Sequence, residues 1–239
     1  MVDFSQELLL IDKPTGITSF DVIRRLRRLY CESHPGERAP KLGHAGTLDP
    51  LATGLMLIGV GRGTKRLAEL TKLDKSYDAV IRLGEQRETG DLEGAVVASL
   101  PVTESLESLE PRVVAALAEL CGEQELPVSA YSAIKQDGVP FYKRARAAAA
   151  RGETITDVPR RVMRVMTAEL RDITSVDQWV HVTVDFSVGS GTYIRSLAEA
   201  LGARLGYPAT LAGLRRTRIG PYQLADAVSL PDSRNQTST

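Results

Sequence analysis

Residues 179–188, WVHVTVDFSV, alternate apolar and polar side chains, and this alternation constrains the fold more than any other feature. Successive side chains of a β-strand point to opposite faces, so such a segment is typical of a half-buried strand. The apolar face would hold Val180, Val182, Val184, Phe186 and Val188. The chain therefore contains at least one strand with a core on one side only.

A helix is predicted directly after this strand. GSGT turns the chain, and Thr192 can cap a helix over YIRSLAEALG. The apolar residues at helical spacing are Ile194, Leu197, Ala198 and Leu201, and they would face a core. Strand and helix thus follow each other closely along the chain.

Other strands and helices interleave without a regular βαβ rhythm. Strands are predicted over 7–12, 55–60 and 77–83, and helices over 19–30, with Ser19 as cap, and over 65–70. A further short helix is bracketed by Pro111 at its start and Gly122 just past its end. This order predicts an α+β fold with a mixed, largely antiparallel central sheet flanked by helices.

Charge is distributed unevenly along a chain that is neutral overall. Lys plus Arg and Asp plus Glu both number 30, yet residues 85–125 hold ten acidic and two basic side chains. We interpret this stretch as an acidic insertion in a catalytic domain spanning 1–230, with a disordered tail over 231–239. A length of 239 residues suits one large domain or two modest ones.

Cysteine, histidine and hydropathy patterns restrict the setting of the protein. Cys31 and His34 could begin a metal site, but nothing in the sequence completes it, so no metal is predicted. No basic segment precedes an apolar run at the N-terminus, and no apolar run approaches the roughly 18 residues of a membrane span. We expect a soluble, cytoplasmic protein with reduced thiols and no membrane partner.

The glycine-rich segment GVGRGTK, residues 59–65, invites comparison with nucleotide-binding loops. A phosphate loop requires Gly-Lys followed by Ser or Thr, whereas here Thr64 precedes Lys65. The spacing favours a tight turn between a strand and a helix over a nucleotide-hydrolysing enzyme.

Two segments carry the pattern of an RNA contact. The predicted helix over 19–30 has an arginine-rich face, which is either a solvated face or a phosphate contact. Its members are Arg24, Arg25, Arg27 and Arg28. In residues 129–147 aromatic and cationic side chains alternate, as in proteins that stack bases and bind phosphates. They include Tyr131, Lys135, Phe141, Tyr142, Lys143, Arg144 and Arg146.

Asp49 is the acid whose setting is hardest to explain as surface chemistry. It follows Gly43, Gly46 and Thr47 and precedes Pro50, with an apolar run starting at Leu51. A carboxylate beside apolar surface is costly unless it is paired or used, and Arg195 is a possible partner. The alternatives are a turn or cap for Asp49, and for Arg195 an exposed pair with Glu199 one turn later.

Five blocks in order resemble the bacterial TruB family of tRNA pseudouridine-55 synthases over about residues 6–230. They are DKPTGITSFDVIRRLRR, GHAGTLDPLATGLMLIGVGRGTK, KSYDAVIRLG, SAIKQDGVPFYKRARA and GTYIRSLAEALG. The resemblance implies a pseudouridine synthase fold with a catalytic cleft. It also implies an isomerase that detaches one T-loop uracil of tRNA, rotates it and rejoins it through C5, without metal or cofactor.

The resemblance also implies roles for individual residues. Asp49 would be the catalytic carboxylate, Arg195 would pair with it, and Tyr77 would lie against the flipped uracil. Tyr193 would hydrogen-bond near the nucleoside, and Leu214 would contact the base. His44 would fill the space that the flipped nucleotide leaves, or buttress it. An RNA-gripping insertion over 128–160 would include Lys135, Tyr142 and Arg146, and Arg24, Arg28 and Arg215 would meet phosphates.

The expected partner is the T stem-loop of tRNA, bound by a monomer. Family members usually continue into a C-terminal PUA domain, for which no room follows Leu230, so we expect catalysis with a weaker grip on RNA. The alternatives are another RNA uridine as target, or a tRNA-folding factor whose catalysis is incidental.

Overall fold

A computed structural model describes residues 2–129, 135–136, 139–151 and 158–230 of the chain. The protein is α+β, with a mostly antiparallel central sheet flanked by helices, which confirms the predicted fold class. It divides into two compact units, the first comprising residues 1–78 and 214–239 and the second residues 79–213. Among the described residues, no helix is both long enough and apolar enough to cross a membrane.

The first unit is built around strand β3. Its elements are β1 (Leu8–Lys13), α1 (Ser19–Ser33), β2 (Leu42–His44), β3 (Thr53–Val60), a 3₁₀ helix (Gly61–Arg66), α2 (Leu67–Leu70), the start of β4 (Lys75–Leu83), the end of β12 (Ala209–Ile219), β13 (Tyr222–Gln223), a second 3₁₀ helix (Leu224–Asp226) and β14 (Val228–Ser229). The strand order is β14-β1-β3-β12, with β2 on β3 and β13 on β12. β1 and β2 run antiparallel to β3, whereas β12 runs parallel to it.

The core of the first unit follows from the apolar run of β3. Leu55 and Leu57 are fully buried, and they pack with Ala45, Leu70 and Ile219. The glycine-rich turn after β3 is shaped by packing, because a Cβ on Gly63 would lie 1.8 Å from the carbonyl oxygen of Glu7. This close approach explains the glycine without any phosphate.

The second unit holds the long antiparallel strands. Its elements are the rest of β4, β5 (Glu85–Arg87), β6 (Val96–Ser99), α3 (Leu106–Leu120), β7 (Gly122–Pro127), β8 (Lys135–Gln136), β9 (Val139–Pro140), α4 (Phe141–Ala149), β10 (Arg160–Val176), β11 (Trp179–Val188), α5 (Ile194–Leu205) and the start of β12. The order is β4-β11-β10-β7. β11 has the predicted bounds, and its alternation is confirmed because every second side chain is buried.

Three predicted helix ends differ from the structure. Thr18, not Ser19, caps α1, and it shares a capping box with Asp21. α3 begins after Ser105, so Pro111 lies inside the helix. Tyr193 precedes α5 without a side-chain cap, so Thr192 does not fill that role.

The acidic segment is part of the core of the second unit. α3 buries Leu109, Val113 and Leu117, and β7 pairs with β10 from Gly122 to Pro127. The carboxylates of α3 and β7 are exposed, whereas Glu85 and Asp91 of the same segment are buried. The predicted tail over 231–239 lies outside the described residues.

Candidate active site

Asp49 lies in a loop between β2 and β3, in the first unit. The side chain is half-buried, and residues 49–52 form a turn in which the Ala52 N–H donates to the Asp49 carbonyl at 3.1 Å. The carbonyl of the next residue, Pro50, accepts from the Gly16 N–H at 2.8 Å and from Lys13 Nζ at 3.3 Å. The loop is therefore tied to the end of β1.

His44 sits at the end of β2, opposite Ile58 of β3, and its side chain is half-buried. Burial lowers the pKa of the imidazole below its usual value, and the nearby Arg216 guanidinium lowers it further. Both effects disfavour the charged form of the imidazole, and a backbone hydrogen bond at Gly46 opposes them.

Tyr77 and Leu214 occupy strands of the first unit. Tyr77 lies on β4 with 8% of its surface exposed. Leu214 lies on β12, half-buried, and its carbonyl accepts from the Thr53 hydroxyl at 3.4 Å. Both residues lie within strands, which place side chains more precisely than loops do.

Neighbouring arginines of β12 differ sharply in environment. Arg215 reaches solvent in part and pairs with Asp12 at 2.7 Å. Arg216 is 1% exposed, and its guanidinium donates to backbone carbonyls of the first unit. Arg216 is therefore a core residue, although it directly follows the predicted phosphate contact Arg215.

Arg195 and Tyr193 belong to the second unit. Arg195 is 5% exposed, and its Nη1 donates to the Thr89 carbonyl at 2.7 Å and to Ser129 Oγ at 2.9 Å. The alternative of an exposed pair with Glu199 is wrong, because Arg195 is buried. Tyr193 is half-buried at the start of α5.

An acidic residue that sequence reasoning missed lies beside Arg195. Asp91 is 3% exposed, and its Oδ2 lies 4.0 Å from Arg195 Nη1. Its other oxygen accepts from the Thr89 hydroxyl at 2.5 Å and from the Glu93 N–H at 3.1 Å. In the sequence Asp91 is one of many acids between residues 85 and 125, so nothing marked it as buried.

The predicted catalytic and substrate-binding residues are distributed over both units. The first unit holds Asp49, Tyr77, His44 and Leu214, and the second holds Tyr193 and Arg195. The predicted ion pair between Asp49 and Arg195 stays a prediction.

The predicted RNA-contact residues divide in the same way. Arg24 and Arg28 are exposed on α1, where they pair with Asp21 and Glu32. The side chains of Lys135, Tyr142 and Arg146 lie outside the described part of the chain, although their backbone forms parts of β8 and α4.

The second unit also contains an open cavity of about 570 Å³ that no sequence pattern indicated. Its polar lining includes Gln86, Glu199, Arg204 and Tyr207. Burial raises the pKa of the Glu199 carboxyl, while a hydrogen bond from Gln86 and the charge of Arg195 oppose that rise. The cavity is thus lined by one carboxyl that resists ionisation.

Comparison with solved structures identifies the fold. The fold is that of the pseudouridine synthases. A Cbf5-Nop10-Gar1 complex superposes with a TM-score of 0.65 at 22% identity, over 96% of this chain and 55% of that chain. An H/ACA ribonucleoprotein bound to a substrate RNA containing 2′-deoxyuridine gives a TM-score of 0.63 at 23% identity, over 93% of this chain and 50% of that chain. The chain spans about half the length of these solved chains.

The particular family follows from sequence. The model of the N-terminal domain of TruB family pseudouridylate synthases matches residues 34–194. A tRNA pseudouridine synthase B of Mycobacterium sp. (strain KMS) is 45% identical over 223 residues, covering 93% of this chain and 70% of that protein. One from Opitutus terrae is 42% identical over 225 residues, covering 93% and 85%. The chain belongs to the TruB family of pseudouridine synthases.

Proposed function

We propose that this protein converts a uridine in the T loop of tRNA, at position 55, to pseudouridine. The observation that carries the proposal is Asp49, the acid of the GTLDP motif, on a loop tied through backbone and side-chain hydrogen bonds to neighbouring elements. Membership of the family and the names of the curated relatives support the same reaction. A site held in this way is pre-organised for a single geometry.

The reaction is an isomerisation, so it needs no net oxidation or reduction. The bond between N1 of uracil and C1′ of ribose breaks, the base rotates, and C5 bonds to C1′. We infer that the Asp49 carboxylate takes the C2′ proton as the base departs, which leaves a C1′=C2′ double bond, and returns the proton to C2′ as C5 bonds to C1′. The C5 proton then leaves to solvent, while N1 regains a proton. One carboxylate suffices, because the same group removes and restores one proton.

The base must leave the T-loop stack before it reacts. Extrusion costs roughly a few kcal/mol, which stacking and hydrogen bonds in the pocket offset. In this proposal Tyr77 supplies the stacking surface, Tyr193 a hydrogen bond and Leu214 an apolar contact. His44 fills the gap left in the RNA, and Arg195 pairs with Asp49.

The RNA stem would be held through its phosphates. Arg24 and Arg28 are exposed on α1, and Arg215 is partly exposed on β12. Such contacts set position, whereas the shape and bases of the T loop select the substrate. The RNA-gripping role of Lys135, Tyr142 and Arg146, the monomeric state and a cytoplasmic location belong to the same proposal.

Tritium release tests the proposal directly. A T-arm hairpin labelled at C5 of its uridines should lose one label per molecule with the wild-type protein. A hairpin with cytidine at the target position should lose none. Asp49→Asn should abolish release, whereas Asp226→Asn, which alters an exposed carboxylate of the same unit, should leave it unchanged.

The same experiment separates the alternatives. Tight binding of the hairpin without any release would contradict the proposal and favour a tRNA-folding factor. Release only from other RNAs would contradict the assigned uridine but keep the reaction.

A further inference from the structure

The peptide that precedes Asp49 is held by one buried hydroxyl. Ser19 is 2% exposed, and its Oγ accepts from the Leu48 N–H at 2.8 Å and donates to the Leu48 carbonyl at 2.9 Å. A hydroxyl can donate once while it accepts, so a single side chain satisfies both polar groups of this residue. Leu48 itself is 3% exposed, so solvent has little access to replace these bonds.

Ser19 is available for this contact because the helix start is capped by its neighbour. The Thr18 hydroxyl accepts from the Asp21 N–H at 3.1 Å, and the Asp21 carboxylate accepts from the Thr18 N–H at 2.9 Å. The cap is thus complete without Ser19. Its hydroxyl points instead to a residue 29 positions further along the chain.

The two residues before Leu48 are held from β12. Arg216 is 1% exposed, and its Nη2 lies 3.3 Å from the Gly46 carbonyl oxygen and its Nη1 3.5 Å from that of Thr47. Its Nε donates to the Leu55 carbonyl at 2.7 Å. A guanidinium is planar and carries five donors in a fixed fork, so it can hold several carbonyls in one geometry.

We propose that Ser19 and Arg216 are positioning residues for Asp49, which fix the three residues before it and thereby aim its carboxylate. Neither side chain touches the reacting atoms, and both act through the backbone of residues 46–48. The inference rests on the proposed function of Asp49. It adds that the direction of the carboxylate is set by α1 and β12 before RNA binds.

Ser19 permits a clean test because the same helix offers a matched control. Ser33 also carries a hydroxyl on α1, but it is exposed and donates to the Leu29 and Tyr30 carbonyls within the helix. Variants Ser19→Ala, Ser19→Thr and Ser33→Ala would be compared on a T-arm hairpin under single-turnover conditions with saturating enzyme. Hairpin Kd and amide hydrogen exchange at Leu48 in the RNA-free protein complete the set.

We expect Ser19→Ala to slow pseudouridine formation at least tenfold while hairpin Kd stays within twofold. The Leu48 amide should exchange at least tenfold faster. Ser19→Thr, which keeps the hydroxyl, should recover most of the rate, and Ser33→Ala should match wild type. Ser19→Cys preserves volume with a weaker donor and replaces Ser19→Ala if the latter does not fold.

Two results would overturn the proposal while the proposed function stands. One is a wild-type rate in Ser19→Ala despite faster exchange at Leu48, which makes the serine a stabilising residue only. The other is unchanged exchange at Leu48, which removes the mechanical link. An inactive wild-type protein would instead overturn the proposed function, and this inference with it.

Discussion

Arg215 Nη2 lies 2.7 Å from Asp12 Oδ2, so an arginine predicted to meet phosphate is already paired with a carboxylate of β1. The two side chains are 41% and 24% exposed, so the pair is partly solvated. Such pairs contribute up to about 1 kcal/mol to stability. If Arg215 binds RNA as proposed, phosphate would compete with Asp12 for the same guanidinium.

Removing Asp12 should consequently improve RNA binding. Asp12→Asn is expected to tighten hairpin binding a few-fold at low salt, whereas Arg215→Gln should weaken it and reduce the slope of log Kd against log salt by about one. Fluorescence anisotropy across a salt series measures both. Identical slopes for Arg215→Gln and wild type would show that Arg215 serves only the ion pair.

Gly54 is expected to tolerate no side chain. Its φ is +104°, and a Cβ would lie 2.3 Å from the carbonyl oxygen of Arg216 in the parallel β3–β12 pair. Gly54→Ala should lower the free energy of unfolding by more than about 3 kcal/mol, since strain and overlap add. Gly16→Ala is the control, because its φ is +79° but its Cβ meets nothing within 4 Å. Denaturant unfolding should show a loss of only about 1–2 kcal/mol there.

The capping box of α1 predicts a loss of stability in acid. The pKa of Asp21 is lowered from 3.8 to about 2. The largest cause is the hydrogen bond from the Thr18 side chain, and the hydrogen bonds from the Thr18 backbone and from Arg24 follow. Because the folded pKa is depressed, the contribution of Asp21 is complete above pH 3.8 and disappears as the pH falls through 2. The difference in unfolding free energy between wild type and Asp21→Asn should shrink over that window. A difference that stays constant from pH 5 to 2 would contradict the capping role.

Lys75 predicts a rise of stability with pH in the alkaline range. Its Nζ donates to the Thr71 carbonyl at 2.6 Å and the Leu73 carbonyl at 2.5 Å. Burial, and then the charge of Arg216, lower its pKa from 10.5 to about 8. Between pH 8 and 10.5 the unfolded chain binds more protons, so stability should rise with pH relative to Lys75→Met.

Chemical denaturation at several pH values checks this prediction, with Lys72→Met as a control for an exposed lysine of the same unit. If the unfolding free energy of wild type falls with pH relative to that of Lys75→Met, the charged amino group is the favoured form in the folded protein.

Periodic features were predictable from sequence, and partners distant in the chain were not. β11 matches its prediction to the residue because side-chain alternation is a local property. Thr18 caps α1, one residue before the predicted cap Ser19. Both residue types are suitable caps, and the Ser19 hydroxyl is bonded to Leu48 instead, a contact that no local pattern predicts. The prediction that a helix starts at Pro111 is wrong. Proline is frequent at helix starts, yet Pro111 lies within α3.

The same limit applied to the site. The sequence around Asp49 predicted a fixed loop, because glycines and a proline mark such a loop locally, whereas the catalytic role of Asp49 stays a prediction. Arg215 and Arg216 are adjacent residues of the same type. Arg215 is partly exposed to solvent, whereas Arg216 is buried and binds backbone carbonyls in the core. Burial of Arg216 depends on β12 meeting β3, about 160 residues earlier in the chain. No local pattern contains that information.

The two cysteines have a practical consequence. Cys31 on α1 belongs to the first unit and Cys121 after α3 to the second, and both thiols are exposed and free. A maleimide dye pair would therefore place one fluorophore on each unit of the natural sequence, without any engineered residue. Energy transfer between the dyes would then report directly on whether the units move when tRNA binds.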